Sequence, residues 1–288
     1  MGNSDDFEQY STLSNEVRRI RRCGAVHKSQ GKSDGGSRVI QSVDRAIRIL
    51  FALQGARRMT LSELATELGL PATTVHGIVR TLAAHGVVVQ ESGGGRYRLG
   101  PAVLRFGNVY LDTLDLRARA LTWSHDLARS TGLAVRVGVL FGDAVVVIHH
   151  EARPDGSRQM PEVGIEIPAH ACSLGKAMLA FRPVLDDAPL RSMTGETITS
   201  ALALREHLRS VADTGLAFEC DEAVLGESGV AGAIFDGDSD VAGAVGVVVP
   251  TSEWPVSTAT VDAVRATART ISRELGCTRW PAAPDHGS

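Results

Sequence analysis

Between Thr60 and Ala84 the chain carries two short amphipathic segments separated by only Gly69-Leu70-Pro71. A gap that small admits a tight turn and nothing else. Thr60-Leu61-Ser62-Glu63 reads as a capping box, the Thr60 hydroxyl accepting from the amide at 63 while Glu63 reaches back to Thr60. The helix it opens turns Leu61, Leu64, Ala65 and Leu68 inward and stops at Gly69. The second helix, Ala72–Ala84, buries Val75, Ile78, Val79 and Leu82. Two short helices around a glycine-containing turn form a helix-turn-helix. A helix from Ser42 to Gly55, with Val43, Ala46, Ile47, Ile49, Leu50 and Leu53 on one face, precedes the pair. Val87–Val89, the loop Glu91–Gly95 and the strand Arg96–Leu99 follow as a hairpin wing.

Charge divides the chain in the same place. Residues 38–100 hold eight Arg against four acidic residues, a net of +4, whereas residues 101–288 carry a net of −8. A basic segment joined to an acidic one suggests a polyanion-binding module coupled to a domain with another job. The 288 residues suit two domains. Residues 1–37, with the cluster Arg18, Arg19, Arg21 and Arg22, read as a disordered basic tail, and 38–100 as the winged helix-turn-helix. Residues 101–115 read as a linker helix, 116–277 as a mixed α/β domain and 278–288 as a disordered C-terminus. In the α/β part the expected strands are Leu133–Leu140, Ala144–His150, Glu162–Ile167, Leu216–Cys220, Val230–Phe235 and Val241–Val249. The expected helices are Ser173–Phe181, Ala201–Thr214 and Val256–Leu275. Turns at Gly142-Asp143 and Asp236–Asp240 join neighbouring strands as hairpins, so the sheet is expected to be antiparallel with helices on one or both faces.

A hydrophobic content of 43% excludes a disordered chain. No apolar run reaches the roughly 18 residues of a membrane span; the longest candidate, Leu133–Ile148, is broken by Arg136 and Asp143. Cys23, Cys172, Cys220 and Cys277 lie far apart, which suits reduced thiols. The expectation is a cytoplasmic protein with no membrane partner, nucleoid-associated when bound to DNA.

A recognition helix must be polar on the face it offers to a major groove about 12 Å wide. Thr73, Thr74, Gly77, Arg80 and Thr81 lie off the apolar stripe of Ala72–Ala84. The two threonines at the helix start suit a phosphate or a thymine methyl, and Arg80 suits backbone phosphate. In the wing, Arg96 and Arg98 alternate with Tyr97, aimed at phosphate or minor groove.

Enzymatic constellations fail one by one. His149 and His150 point to opposite faces of a strand, and the H-x-E of His149 and Glu151 lacks the P-C-x-x-C of a zinc deaminase. Asp236-x-Asp238-x-Asp240 resembles the start of a calcium loop, but Val241 and Val247 stand where Gly and Glu are required. Gly93–Gly95 lacks the Lys-Ser/Thr of a phosphate loop, and Cys172 beside Ser173 has no nucleophile elbow. No catalytic residue, metal or cofactor is expected.

The sequence does resemble one family. Ser42–Leu50, Leu61–Ala65, Gly69-Leu70-Pro71, Thr74-Val75-His76, Arg80-Thr81-Leu82 and Arg96–Gly100 are similar to the winged-helix half of IclR-type bacterial transcription regulators. The run Ala169–Ala180, then Thr214–Glu219 and Val249-Pro250, are similar to its C-terminal half, so the likeness spans about Arg38 to Leu275. It implies a GAF-like domain that binds a small organic effector, commonly a carboxylate or aromatic acid. Carried over residue by residue, the implied effector positions are Cys172, Ser173, Leu174, Glu219, Gly229, Gly246 and Val248. Gly229, Gly246 and Val248 replace small polar residues, which implies a roomier, more apolar pocket. Lys176 either neutralises an acid or reaches solvent. On the DNA side the likeness adds Ser62 and His76, while Gly77 departs from the long basic residue usual there.

The resemblance thus implies a transcription regulator, for example a repressor, binding double-stranded DNA under effector control. One recognition helix covers few base pairs, so a dimer or tetramer on a palindromic operator is expected. The competing reading is a small-molecule or redox sensor, with Cys172 as the thiol, that acts through protein partners and keeps a degenerate DNA module.

Overall fold

The computed structural model describes residues 39–156, 159–182 and 190–281. The basic tail at 1–37 lies outside the described residues. The chain divides into two compact units between Tyr110 and Leu111, inside the helix expected as a linker.

The first unit begins with α1 (Gln41–Ala56), followed by β1 (Met59–Thr60), α2 (Leu61–Leu68) and α3 (Ala72–Ala84). The wing is β2 (Val88–Gln90) and β3 (Arg96–Leu99), and α4 (Pro101–Asp112) follows. Both arms of the capping box are made: Glu63 N donates to Thr60 Oγ1 at 3.2 Å, and Thr60 N donates to Glu63 Oε2 at 2.7 Å. Helix α2 ends with Gly69 at φ +63° and Leu70 N donating back to Ala65 O at 3.0 Å. That left-handed residue is what turns the chain so sharply into α3. Ile49, Leu53, Leu64, Val75, Val79 and Val88 are buried in one core. The sequence did not announce β1, two residues that pair with β3 through Thr60 and Arg96 and make the wing three-stranded.

The second unit is a six-stranded antiparallel sheet in the order β6-β5-β4-β9-β8-β7. Its strands are β4 (Ala134–Phe141), β5 (Ala144–Glu151), β6 (Glu166–Pro168), β7 (Leu216–Cys220), β8 (Glu227–Phe235) and β9 (Val241–Pro250). Helices α5 (Asp115–Thr131) and α8 (Thr258–Glu274) pack with one face of this sheet in a single core. That core takes Val135 and Val137 of β4, Val230 and Ile234 of β8, and Val245, Val247 and Val249 of β9. Helices α6 (Ser173–Leu179) and α7 (Ala201–Thr214) complete the unit.

Three expectations change. Residues 162–165 turn rather than extend: Ile165 N donates to Glu162 O at 2.9 Å, so β6 starts only at Glu166. Strand β8 begins at Glu227, three residues earlier than apolar alternation suggested, because Glu227 and Ser228 pair with Pro250 and Val249 of β9. Residues 278–281 are ordered against the sheet. Trp280 Nε1 donates to Ala233 O at 2.7 Å, and its ring fills the space that a side chain at Gly215 would need, while it touches the position above Gly232 that Ala268 closes.

Losing an N-cap hydroxyl costs about 1 kcal/mol. Thr60→Ala is therefore expected to speed amide exchange across 61–68 and 96–99 about fivefold, measured by mass spectrometry, while strands β8 and β9 keep their rates.

Candidate DNA and effector sites

On the first unit most of the expected DNA-facing residues are exposed. Val75 and Val79 are fully enclosed, whereas Thr73, His76, Arg80 and Thr81 of α3 are exposed, as is Ser62 at the start of α2. Thr74 and Gly77 are half-buried. Thr81 Oγ1 turns back to the Gly77 carbonyl at 3.1 Å, so its hydroxyl is engaged within the helix. In β3 the buried ring of Tyr97 holds Arg96 and Arg98 outward on either side. Arg96 lies 3.7 Å from Glu63, so the carboxylate that completes the α2 cap also steadies the wing arginine. Glu91 sits 4.0 Å from Arg98 and 3.8 Å from Arg58. Arg58 is a cation that sequence reading passed over; its only signal was membership of the basic excess.

In the second unit the sheet register gathers the expected effector positions. Across three strands Glu219, Gly229 and Val248 are direct neighbours in one row, Glu219 opposite Gly229 and Gly229 opposite Val248. The adjoining row holds Gly246 beside Arg136 of β4. Helix α6 comes down onto this face. Ser173 Oγ donates to Glu219 Oε1 at 3.3 Å, and a Cβ added at Gly229 would lie 3.2 Å from that hydroxyl. Leu174 is buried and lies 3.5 Å from the point where a Cβ on Gly138 would sit. Cys172 caps α6, its Sγ accepting from Gly175 N at 3.4 Å.

The glycines in these rows do not widen the site as their small size suggested. A Cβ at Gly246 would meet Val230 O at 2.6 Å, and one at Gly229 would meet Val247 O at 2.9 Å. Both positions are empty because neighbouring backbone already occupies the space.

Charge is concentrated on the same face. Arg136 is enclosed, with Nη1 donating to Glu227 Oε1 at 2.6 Å and Nη2 to Glu227 Oε2 at 3.0 Å. On its other edge Nη2 donates to Glu162 Oε1 at 2.9 Å and Nε donates to Glu162 Oε2. Burial alone would lower the guanidinium pKa; the carboxylates of Glu227 and Glu162 outweigh it and raise the pKa well above its ordinary value. His150 Nε2 approaches Glu162 at 3.8 Å, whereas His149 meets Glu151 at 3.6 Å on the opposite face of the strand. Burial holds both imidazole pKa values below the ordinary range.

Lys176 does not reach solvent. It is wholly buried, and its Nζ donates to Glu222 Oε1 at 2.5 Å. Thr197 Oγ1 pins the Glu222 carbonyl at 2.7 Å. Burial, with the charge of Glu227 adding to it, pushes the Glu219 carboxyl up to about 8, so it is protonated at neutral pH. Burial likewise drives the Cys172 thiol far above its usual range, helped by Glu219. An enclosed thiol that resists ionisation is a poor oxidant sensor, which removes the basis of the redox reading.

Sequence reading missed Arg136, Glu162, Glu227 and Glu222. Arg136 had a signal, as a cation interrupting an otherwise apolar strand, but its partners lie 26 and 91 residues away. Among the described residues no group of His, Cys, Asp or Glu is placed to hold a metal ion, and no helix is long and apolar enough to cross a membrane. The Asp236–Asp240 segment closes on itself instead, Asp236 Oδ1 accepting from the amides of Asp238 and Asp240 at 3.0 Å each.

A winged helix-turn-helix with exposed arginines, joined to an α/β unit, is the architecture of a DNA-binding regulator. The sequence matches the IclR helix-turn-helix domain over residues 42–92 and the bacterial transcriptional regulator IclR C-terminal domain over residues 108–273. The chain belongs to the IclR family of DNA-binding transcriptional regulators. It is 43% identical to a glycerol operon regulatory protein of Streptomyces griseus, over 85% of this chain and all of the relative. A crystal structure of an IclR-type regulator from Silicibacter sp. TM1040 superposes with a TM-score of 0.70 at 28% identity, covering 84% of this chain and 99% of that one. The fold is shared too with an IclR homologue of Microbacterium hydrocarbonoxydans solved with 4-hydroxybenzoate, at TM-score 0.68 and 22% identity, over 81% of this chain and 98% of that one. These relatives are regulators, not enzymes.

Because Glu219 binds its proton more tightly folded than unfolded, its contribution to stability falls as pH rises from about 4.5 and is fully lost above about 8. The melting temperature of Glu219→Gln is expected to gain on the parent chain between pH 5 and about 8 and to level off above that, measured by calorimetry.

Proposed function

We propose that this chain binds a palindromic operator as a dimer or tetramer and that a small organic effector at the Ser173–Glu219 site controls the binding. The observation that carries the DNA half is the division of α3, with Val75 and Val79 enclosed while Thr73, His76 and Arg80 are exposed, as are Arg96 and Arg98 of the wing. Thr73 and Thr74 meet phosphate or base at the helix start, and Ser62, Arg80, Arg96 and Arg98 supply backbone contacts. Gly77 adds no side chain and permits close approach of the helix backbone.

Self-association rests on apolar side chains left in water. Helix α1 exposes Val43, Ile47 and Phe51 at four-residue spacing, and α4 exposes Leu104, Phe106 and Val109, each about two-thirds accessible. Apolar stripes of this kind on a regulator that needs two half-sites are the natural seat of a second copy.

For the effector half, Cys172, Ser173, Leu174, Glu219, Gly229, Gly246 and Val248 form the proposed site, with a carboxylate or aromatic acid as the class suggested by family resemblance. The strong likeness to a glycerol operon regulator supports a different setting, control of genes for using a polyol, in which this chain acts as repressor. Effector and operator then communicate through a coupling free energy of about 1–3 kcal/mol.

Arg80→Ala and Arg96→Ala are each expected to weaken binding to all DNA sequences and to reduce the slope of log affinity against log salt by about one, read by fluorescence anisotropy. An unchanged slope in both would take these residues out of the interface. Phe51→Asp with Phe106→Asp should convert the assembly to monomers by light scattering and abolish operator binding; retention of the parent mass would refute the stripe as the contact.

A further inference from the structure

We propose that the ligand of the Ser173–Glu219 site is an uncharged polyol, and that Glu162 and Glu227 exclude acids by neutralising Arg136. The inference rests on the reading of this site as the effector site and replaces the carboxylate or aromatic acid that family resemblance suggests there. Control of a polyol operon leaves two chemical candidates, the free polyol and its phosphorylated form, and the charges on the sheet discriminate between them.

Two cations lie on this face among the described residues, and both are already engaged. Lys176 is enclosed and held by Glu222. The Arg136 guanidinium is gripped along two edges by Glu162 and Glu227, all three of its nitrogens donating. An incoming phosphate or carboxylate therefore meets no uncompensated positive charge. To reach Arg136 it must expel one carboxylate while remaining close to the other. Three carboxylates, Glu162, Glu222 and Glu227, surround these two cations, with Glu219 neutral beside them, so the field opposes an anion.

A polyol has the complementary chemistry. Each hydroxyl donates once and accepts twice. The Glu219 carboxyl, protonated at neutral pH, also donates and accepts, and the Ser173 hydroxyl lies beside it. Carboxylate oxygens of Glu227, two residues from Gly229 on the same strand and face, keep lone pairs beyond those used by Arg136. A chain of hydroxyls thus finds a donor-acceptor pair in Glu219 and acceptors in Glu227, and because Ser173 and Glu219 already pack over Gly229 it is seated by parting those two side chains. Val248, half-exposed in the same row, offers its methyl groups to the carbon skeleton.

The test titrates glycerol, erythritol, xylitol, glycerol 3-phosphate and 4-hydroxybenzoate into the full chain at pH 7 by calorimetry, with operator release followed in parallel. At least one free polyol is expected to bind ten-fold or more tightly than glycerol 3-phosphate, and Glu219→Leu to weaken it at least ten-fold. Glu162→Gln with Glu227→Gln should uncover Arg136 and raise affinity for glycerol 3-phosphate at least ten-fold; Glu162→Gln alone, altering the loop residue and leaving strand β8 untouched, should move it the same way. Tighter binding of either acid to the parent chain, abolished by Ser173→Trp, overturns the polyol while leaving the effector site standing. Operator release that survives both Ser173→Trp and Glu219→Leu overturns the site itself. Failure of every polyol to bind overturns the proposal.

Discussion

Helix α6 lies close to the turn at 169–171 and to the sheet because side chains are missing at Gly175 on the first side and at Gly229 on the second. A Cβ on Gly175 would fall 2.1 Å from the carbonyl oxygen of Ala169, an overlap that no relaxation of a side chain relieves. Across the gap, Gly229 leaves its face of β8 open to Ser173 and Glu219. Without these two vacancies the helix would ride higher, Ser173 would lose the Glu219 carboxyl, and Lys176 could not be sealed in with Glu222. The polar interior of the second unit is therefore a consequence of close backbone approach. The glycines place the chemistry even though they supply none of it.

What the sequence disclosed and what it concealed divide by range along the chain. The capping box, the Gly69 turn, the apolar stripe of α3 and the alternation of Arg96, Tyr97 and Arg98 are each written in a few consecutive residues, and the structure has them at those positions. Boundaries set by distant partners were not readable. Strand β1 exists because Thr60 pairs with Arg96, and β8 starts at Glu227 because Pro250 meets it. Family resemblance supplied Glu219, Gly229, Gly246 and Val248, and register explains why residues so far apart belong together. The grip of Glu162 and Glu227 on Arg136 had no local trace, since nothing near any of the three names the others.

The electrostatics of the two units follow opposite logic. On the first, cations are kept in water and held only loosely: Arg96 by Glu63, and Arg98 and Arg58 by Glu91, all at separations beyond a good hydrogen bond. Exposed pairs of this kind contribute little to stability and are easily surrendered to a phosphate. At the sheet site of the second, Arg136 and Lys176 are enclosed and paired with carboxylates, so removing a partner would strand a charge in a poorly solvated place. One surface is built to exchange its counterions, the other to retain them.

The packing of Trp280 has a practical corollary for anyone trimming this chain. Its indole covers Gly215 and satisfies the Ala233 carbonyl. A stop codon after Cys277 would look harmless on hydropathy grounds, yet it would bare Gly215 at the end of α7 to water and orphan a backbone acceptor near the end of β8. Expression vectors that shorten the protein should end beyond Pro281, and purification handles belong after that point rather than in place of it.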